Sequence, residues 1–310
     1  TAAVLIPVVC GIADESGYSR SRLLMPLVFA AALGGNLSII GAPGNLMGVN
    51  ALQEMGLSTS FFMYAPVGIP MLLMGIIYFV FIGYRFLPNG KGDAGATVEK
   101  QKDFSHVPKW KQIVSLVVLI LVILAMIFED QIGVSIEISA CVGAIILVLF
   151  GVLSEKEALA SIDLKVVFLF GGSLTLAKAL DTTGAGELIA DKIVGLLGAD
   201  PNPIVLLLVI FVVTCALTNF MSNIATTALM IPIAVSLANN LGADPRAVVI
   251  ATVIAGSCAY ATPIGMPANT MVVGLGGYKF KDYVKSGLPL ILVSFVICMI
   301  LLPVLFPFYP

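Results

Sequence analysis

The sequence predicts an all-α polytopic membrane protein with inverted repeats, re-entrant hairpins and broken transmembrane helices. Three observations lead there. Of 310 residues, 59% are hydrophobic and 11% charged, and mean hydropathy is +1.07, whereas a soluble domain carries about 25% charged residues. Apolar runs of about 20 residues, the length that crosses a bilayer, recur along the chain. Landmarks near the start reappear more than two hundred residues later with their spacing held. Such a chain cannot cover a globular surface with polar groups, which excludes a soluble enzyme and a nucleic-acid binder.

Taken in order, apolar segments fall at 1–13, 23–52, 66–87, 113–128, 134–153, 166–180, 203–220, 224–241, 247–275 and 288–308. Segment 23–52 as one straight helix would reach about 45 Å, half again the roughly 30 Å hydrocarbon layer. It is interrupted by Gly and Pro, as is 247–275, so both are expected to be broken helices. The sustained polar stretch, 89–111, ends in Lys109-Trp110-Lys111 and reads as a cytoplasmic linker with an interfacial anchor. His106, the sole histidine, lies in this linker and reads as a solvated loop residue. Segment 184–197 alternates charged and apolar residues, as a surface or interfacial helix would. The five cysteines (Cys10, Cys141, Cys215, Cys258, Cys298) show no CxxC spacing and read as small core residues.

The repeat has three landmarks. Residues 1–8 parallel 226–233, with Pro7 against Pro232, at an offset of 225. Ile40-Gly41-Ala42-Pro43-Gly44-Asn45 matches Ile264-Gly265-Met266-Pro267-Ala268-Asn269 at 224, and Gly68-Ile69-Pro70 matches Gly287-Leu288-Pro289 at 219. Secondary transporters are commonly built this way, with sites formed by broken helices. The frame divides the chain into 1–88 (second part of repeat one), 89–111 (linker), 112–201 (scaffold helices of repeat two) and 202–310 (hairpin, broken helix, last helix). It also places the counterparts of 111–225 almost entirely before Thr1, so about 110 residues of repeat one are expected upstream. Because that segment would hold part of the site, the 310 residues alone are expected not to transport.

With the linker cytoplasmic and 203–241 a re-entrant hairpin, 13 basic residues lie inside and 3 elsewhere (Lys178, Lys192, Arg246), with the C-terminus outside. A full crossing at 203–220 would put Lys279, Lys281 and Lys285 outside, so the count favours the hairpin. The two copies then enter from opposite sides, as inverted repeats do.

Irregular backbone is tolerated at membrane depth only where it is buried in protein or lines a cavity. The hairpin turn Thr218-Asn219-Phe220-Met221-Ser222-Asn223 and the loops 41–45 and 265–269 are three such places. They combine freed carbonyls with neutral side-chain oxygens, which suits a monovalent cation such as Na⁺. The half-helix N-termini that follow suit an anion. No Asp or Glu lies at these motifs, and no acid, base or nucleophile constellation for an intramembrane enzyme is present. Ser and Asn also serve as packing glue between helices, but their occurrence within a duplicated frame favours a binding site.

On Ser222-Asn223-Ile224-Ala225-Thr226-Thr227 with Pro232, the two Ile-Gly-x-Pro-x-Asn loops, Gly34-Gly35 and Phe170-Gly171-Gly172, the chain resembles the divalent anion/sodium symporter family of the ion transporter superfamily. The resemblance implies elevator-type symport of Na⁺ with a small divalent anion, a dicarboxylate or tricarboxylate such as succinate, or sulfate, through a homodimer in the cell membrane. A proton-linked or arsenite-type permease and a non-transporting membrane scaffold are the alternatives. It implies sodium at Thr218, Asn223 and Gly265, and at Gly41 with a first Ser-Asn pair just before Thr1. Substrate would meet Ser222, Asn223, Pro43, Asn45, Pro267 and Asn269. Ile224 replaces a family threonine, Gly44 and Ala268 replace the second of two adjacent prolines, and Met266 takes a usually polar place.

Overall fold

The computed structural model is helical with no strand among its described residues, which are 2–88, 107–162 and 202–309, with scattered positions between 164 and 188. His106, nearly all of linker 89–111 and segments 166–180 and 184–197 fall wholly or largely outside these. The elements are α1 (Ala2–Ser16), α2 (Arg20–Gly35), a 3₁₀ turn (Ile39–Gly41), α3 (Pro43–Glu54), α4 (Ala65–Phe81), α5 (Lys109–Ile127), α6 (Glu129–Ile132), α7 (Ile136–Leu149) and α8 (Glu155–Ala160). After these come α9 (Pro203–Thr218), α10 (Asn223–Asn240), α11 (Pro245–Ser257), α12 (Pro267–Gly276) and α13 (Phe280–Leu305).

Local chemistry sets these boundaries. Proline opens α3, α9, α11 and α12 at their first turn, where a missing N–H costs nothing and φ is already helical. Asn202, Ser222 and Asp244 cap α9, α10 and α11 by accepting from backbone N–H groups of Ile204, Ala225 and Arg246. Segment 23–52 is broken between α2 and α3, and 247–275 between α11 and α12. Segment 203–241 is helix, turn, helix.

The core forms around α11, whose residues from Ala247 to Gly256 are all buried. Helices α3, α9, α10 and α13 pack against it, and α4 and α12 pack against α13 and α2 respectively. The α5–α7 pair instead packs on itself, leaving Ile113, Leu116, Val142 and Ile145 exposed. Among the described residues two helices, α5 at 19 residues and α13 at 26, are long and apolar enough to cross a bilayer, and α4, α7, α9 and α11 are shorter apolar helices. Lys111 sits over the Trp110 ring at 5.6 Å and donates to the Val152 carbonyl. Cys10, Cys215, Cys258 and Cys298 are core residues, while Cys141 is exposed on α7, whose main packing partner among the described residues is α5.

Candidate functional site

Both loops are built by one device. Asn45, third residue of α3, donates its amide N–H groups to Gly35 O at 2.8 Å and Ser38 O at 2.7 Å. Asn269, third residue of α12, donates to Ala259 O and Thr262 O, both at 2.8 Å. Each asparagine reaches back ten and seven residues and folds the preceding turn onto its own helix. The backbone carbonyl of each then accepts from a buried tyrosine hydroxyl, Tyr64 for Asn45 at 2.7 Å and Tyr283 for Asn269 at 2.8 Å.

Two close crossings hold the loops from behind. A Cβ at Gly68 would overlap the Asn36 carbonyl, and one at Gly287 would overlap that of Tyr260. In each case a helix crosses directly on buried backbone just outside a helix end, and only glycine leaves the room.

The hairpin turn between α9 and α10 joins this assembly. Asn219 donates to Cys215 O at 2.8 Å and Cys258 O at 3.2 Å, and accepts from the Ala261 N–H at 2.9 Å. Its own carbonyl accepts from Thr262 Oγ1, which in turn accepts from Gly265 N at 3.0 Å. Thr218 Oγ1 lies 2.5 Å from Gly256 O and 2.9 Å from Asn223 Oδ1. The hydroxyl's one proton suits Gly256 O, the nearer acceptor, and the Asn223 amide, which carries both an acceptor and donors, pairs with the same hydroxyl. On the next turn Thr227 Oγ1 donates to Asn223 O at 2.8 Å and packs beside α3, where a Cβ at Gly44 would come within 3.1 Å of it. That approach explains glycine where a second proline was expected: Thr227 occupies the space a ring would take.

Among the residues the sequence singled out, Thr218 and Asn223 are bonded to each other. Gly265 reaches the same turn through Thr262 and Asn219. Gly41 folds back on Gly35, and Pro43 and Pro267 stand exposed at the starts of α3 and α12, as Ser222 does at the start of α10. Asn45 and Asn269 are fully buried, with their N–H groups committed to the loops. Ile224 packs partly buried against the core, and Met266 is buried in it. The sequence reading missed the joining residues Asn219, Thr262 and Thr227. Asn219 was visible inside the turn motif, but the bonds it makes to a loop some forty residues away leave no local pattern.

The buried oxygens are not all paired. Asn45 Oδ1, Asn269 Oδ1 and Thr226 Oγ1 have no hydrogen-bond partner. A buried acceptor without a donor is costly.

The comparisons with known proteins agree with this architecture. An uncharacterized transporter of Haemophilus influenzae is 28% identical over 324 aligned residues, 96% of this chain and 66% of its own. One of Methanocaldococcus jannaschii is 27% identical over 297, covering 94% and 66%. The sodium-dependent dicarboxylate transporter SdcS of Staphylococcus aureus strain USA300 is 27% identical over 348, covering 99% and 66%. The chain thus spans just under two thirds of the length of these relatives. The sequence model of the CitMHS citrate transporter family matches residues 1–255, and the chain belongs to that family of membrane transporters.

Proposed function

We propose that this chain carries the transport domain of a secondary active transporter that couples Na⁺ entry to uptake of a small divalent anion, a dicarboxylate, a tricarboxylate or sulfate. The observation that carries the reading is the polar junction at the hairpin turn, where the Thr218 hydroxyl, the Asn223 side-chain amide and the Gly256 carbonyl converge. Thr218, Asn223 and Gly265 would hold one sodium ion, and Gly41 would contribute to a second. A sodium ion beside Thr218 Oγ1 and Asn223 Oδ1 would take both oxygens as ligands while Thr218 still donates to Gly256.

The anion is assigned to the neighbouring helix starts. The start of α3 meets the second turn of α10 at Gly44 and Thr227, and the loop leading to α12 is bonded to Asn219. The partial positive charges of these helix N-termini favour an anion. Ser222, Asn223, Pro43 and Pro267 would meet its oxygens, with Asn45 and Asn269 behind them.

Inversion of the two loop assemblies, a re-entrant α9–α10 hairpin, a cytoplasmic linker, an outside C-terminus, elevator movement past residues 112–201 and a homodimer belong to the same reading. The matched bonds of Asn45 and Asn269 support the repeat, and the 13-to-3 distribution of basic residues supports the orientation. SdcS, a sodium-dependent dicarboxylate transporter by name, supports the coupling ion and substrate class.

The test is a thermal shift with succinate and then sulfate, in NaCl and in choline chloride. Anion-dependent stabilisation that requires sodium is the expected result. Stabilisation that is equal in choline overturns sodium coupling.

A further inference from the structure

A cavity of about 450 Å³ opens on the outer face of the α9–α13 contact. Its walls are apolar side chains of both helices, among them Phe211, Val212, Leu288 and Leu292, and its floor is Cys215, Asn219, Ala261 and Thr262. The floor is therefore the junction that ties the hairpin turn to the second loop. Phe220, Phe280, Leu288 and Leu292 are exposed at its rim, as suits a surface facing hydrocarbon rather than water.

One end is charged. Lys281 and Lys285 are exposed on the same turns of α13 as the lining residues Phe280 and Val284. Neither lysine is in an ion pair among the described residues. Lys281, Lys285, Leu288 and Leu292 are spaced four, three and four residues apart, so they share one face of α13. The nearby Asp282 is buried and accepts from the Lys279 backbone N–H. From Val284 to Phe295 the lined stretch rises about 16 Å along the helix, close to half of a roughly 30 Å hydrocarbon core. Unpaired positive charge thus stands at the end of an apolar groove as deep as one leaflet.

We propose that this groove binds one anionic phospholipid, its headgroup phosphate at Lys281 and Lys285 and one acyl chain between α9 and α13 against Asn219 and Thr262. α9 and α13 run antiparallel, with Phe211 against Phe295 and Gly287 against the Ala261 that bonds Asn219, so the part of the chain next to the headgroup lies against the turn that carries Thr218 and Asn223, and lipid occupancy steadies that turn. Lipid binding itself is independent of the transport reading.

The experiment is native mass spectrometry of the full chain in detergent, with phosphatidylglycerol or phosphatidylcholine of equal chain length. Phosphatidylglycerol is expected to bind in preference. Each lysine near a headgroup is worth about a factor of five, so Lys281→Ala with Lys285→Ala should weaken it about 30-fold. Leu292→Trp should block both lipids by filling the groove. Unchanged phosphatidylglycerol binding in the double variant, or equal binding of the two lipids to the native chain, overturns the proposal. Should Leu292→Trp lower the melting temperature, acyl-chain photo-crosslinking of the native protein decides: labelled peptides from α9 and α13 support the site, and labels confined to other helices overturn it.

Discussion

Thr218 and Asn223 face each other across the hairpin turn with their side-chain oxygens 2.9 Å apart, while the Thr218 hydroxyl also lies 2.5 Å from Gly256 O. Thr218→Val keeps the shape and removes the oxygen. It is expected to cost about 1 kcal/mol of stability for the lost hydrogen bond and to abolish sodium-dependent stabilisation by the anion. Thr218→Ser should retain both. Thermal shifts of the three proteins in NaCl and choline chloride check this, and a Val variant with full sodium dependence would remove Thr218 from the site.

Asn219→Ala deletes the bond donated to Cys258 O and the bond accepted from Ala261 N, which tie the turn to residues 258–261, together with the bond donated to Cys215 O on α9. Backbone groups left unpaired in a buried place cost roughly 1–3 kcal/mol each, so the melting temperature should fall by several degrees. Exchange of the Ala261 amide with deuterium should accelerate with it. Native exchange at Ala261 would show that the loop does not depend on this side chain.

Gly68→Ala and Gly287→Ala should each destabilise by roughly 1–3 kcal/mol or more through overpacking on carbonyl oxygens. Gly11→Ala is the contrast, because a Cβ there meets nothing within 4 Å and alanine is worth up to about 1 kcal/mol over glycine inside a helix. Opposite signs in the melting temperatures are the expected outcome.

Outside the apolar helices, Glu157 closes a capping box at the start of α8, accepting from Ser154 Oγ at 2.7 Å and Ser154 N at 2.8 Å. The Ser154 hydroxyl, followed by its backbone N–H, holds the carboxyl below the ordinary glutamate value of 4.5. A depressed folded value means that the cap contributes stability above pH 4.5 and loses it as pH falls through the folded value. A carboxyl ¹³C titration should show Glu157 ionising below 4.5, and Ser154→Ala should move it back up.

What the sequence made legible was what backbone chemistry writes locally. Pro43 and Pro267 mark helix starts by their missing N–H, and the Gly and Pro of 23–52 and 247–275 mark real breaks. Gly68 and Gly287 were visible as a matched pair, but not the reason, which is a carbonyl from another element pressed against each. The partners of Asn219 and the meeting of Thr227 with Gly44 depend on packing between distant segments, where periodicity carries no information. For the same reason Cys141 looked like its four buried counterparts. Its exposure reflects the company α7 keeps rather than its neighbours in sequence.

Tyr78 donates to the carbonyl of Ser286, 208 residues further on, and Tyr278 donates to that of Ser21, 257 residues back. Each half of the molecule thus closes hydrogen bonds that the other half leaves open. On a ribosome, α2 and α4 emerge long before α12 and α13 exist to complete them. Loop closure over such separations is slow, and until it happens the Ser21 carbonyl and the Tyr78 hydroxyl lack these partners and the early helices keep bare packing faces. The first 88 residues therefore cannot reach their final arrangement as they are made, and a chain stopped short of Tyr278 would lack both straps at once.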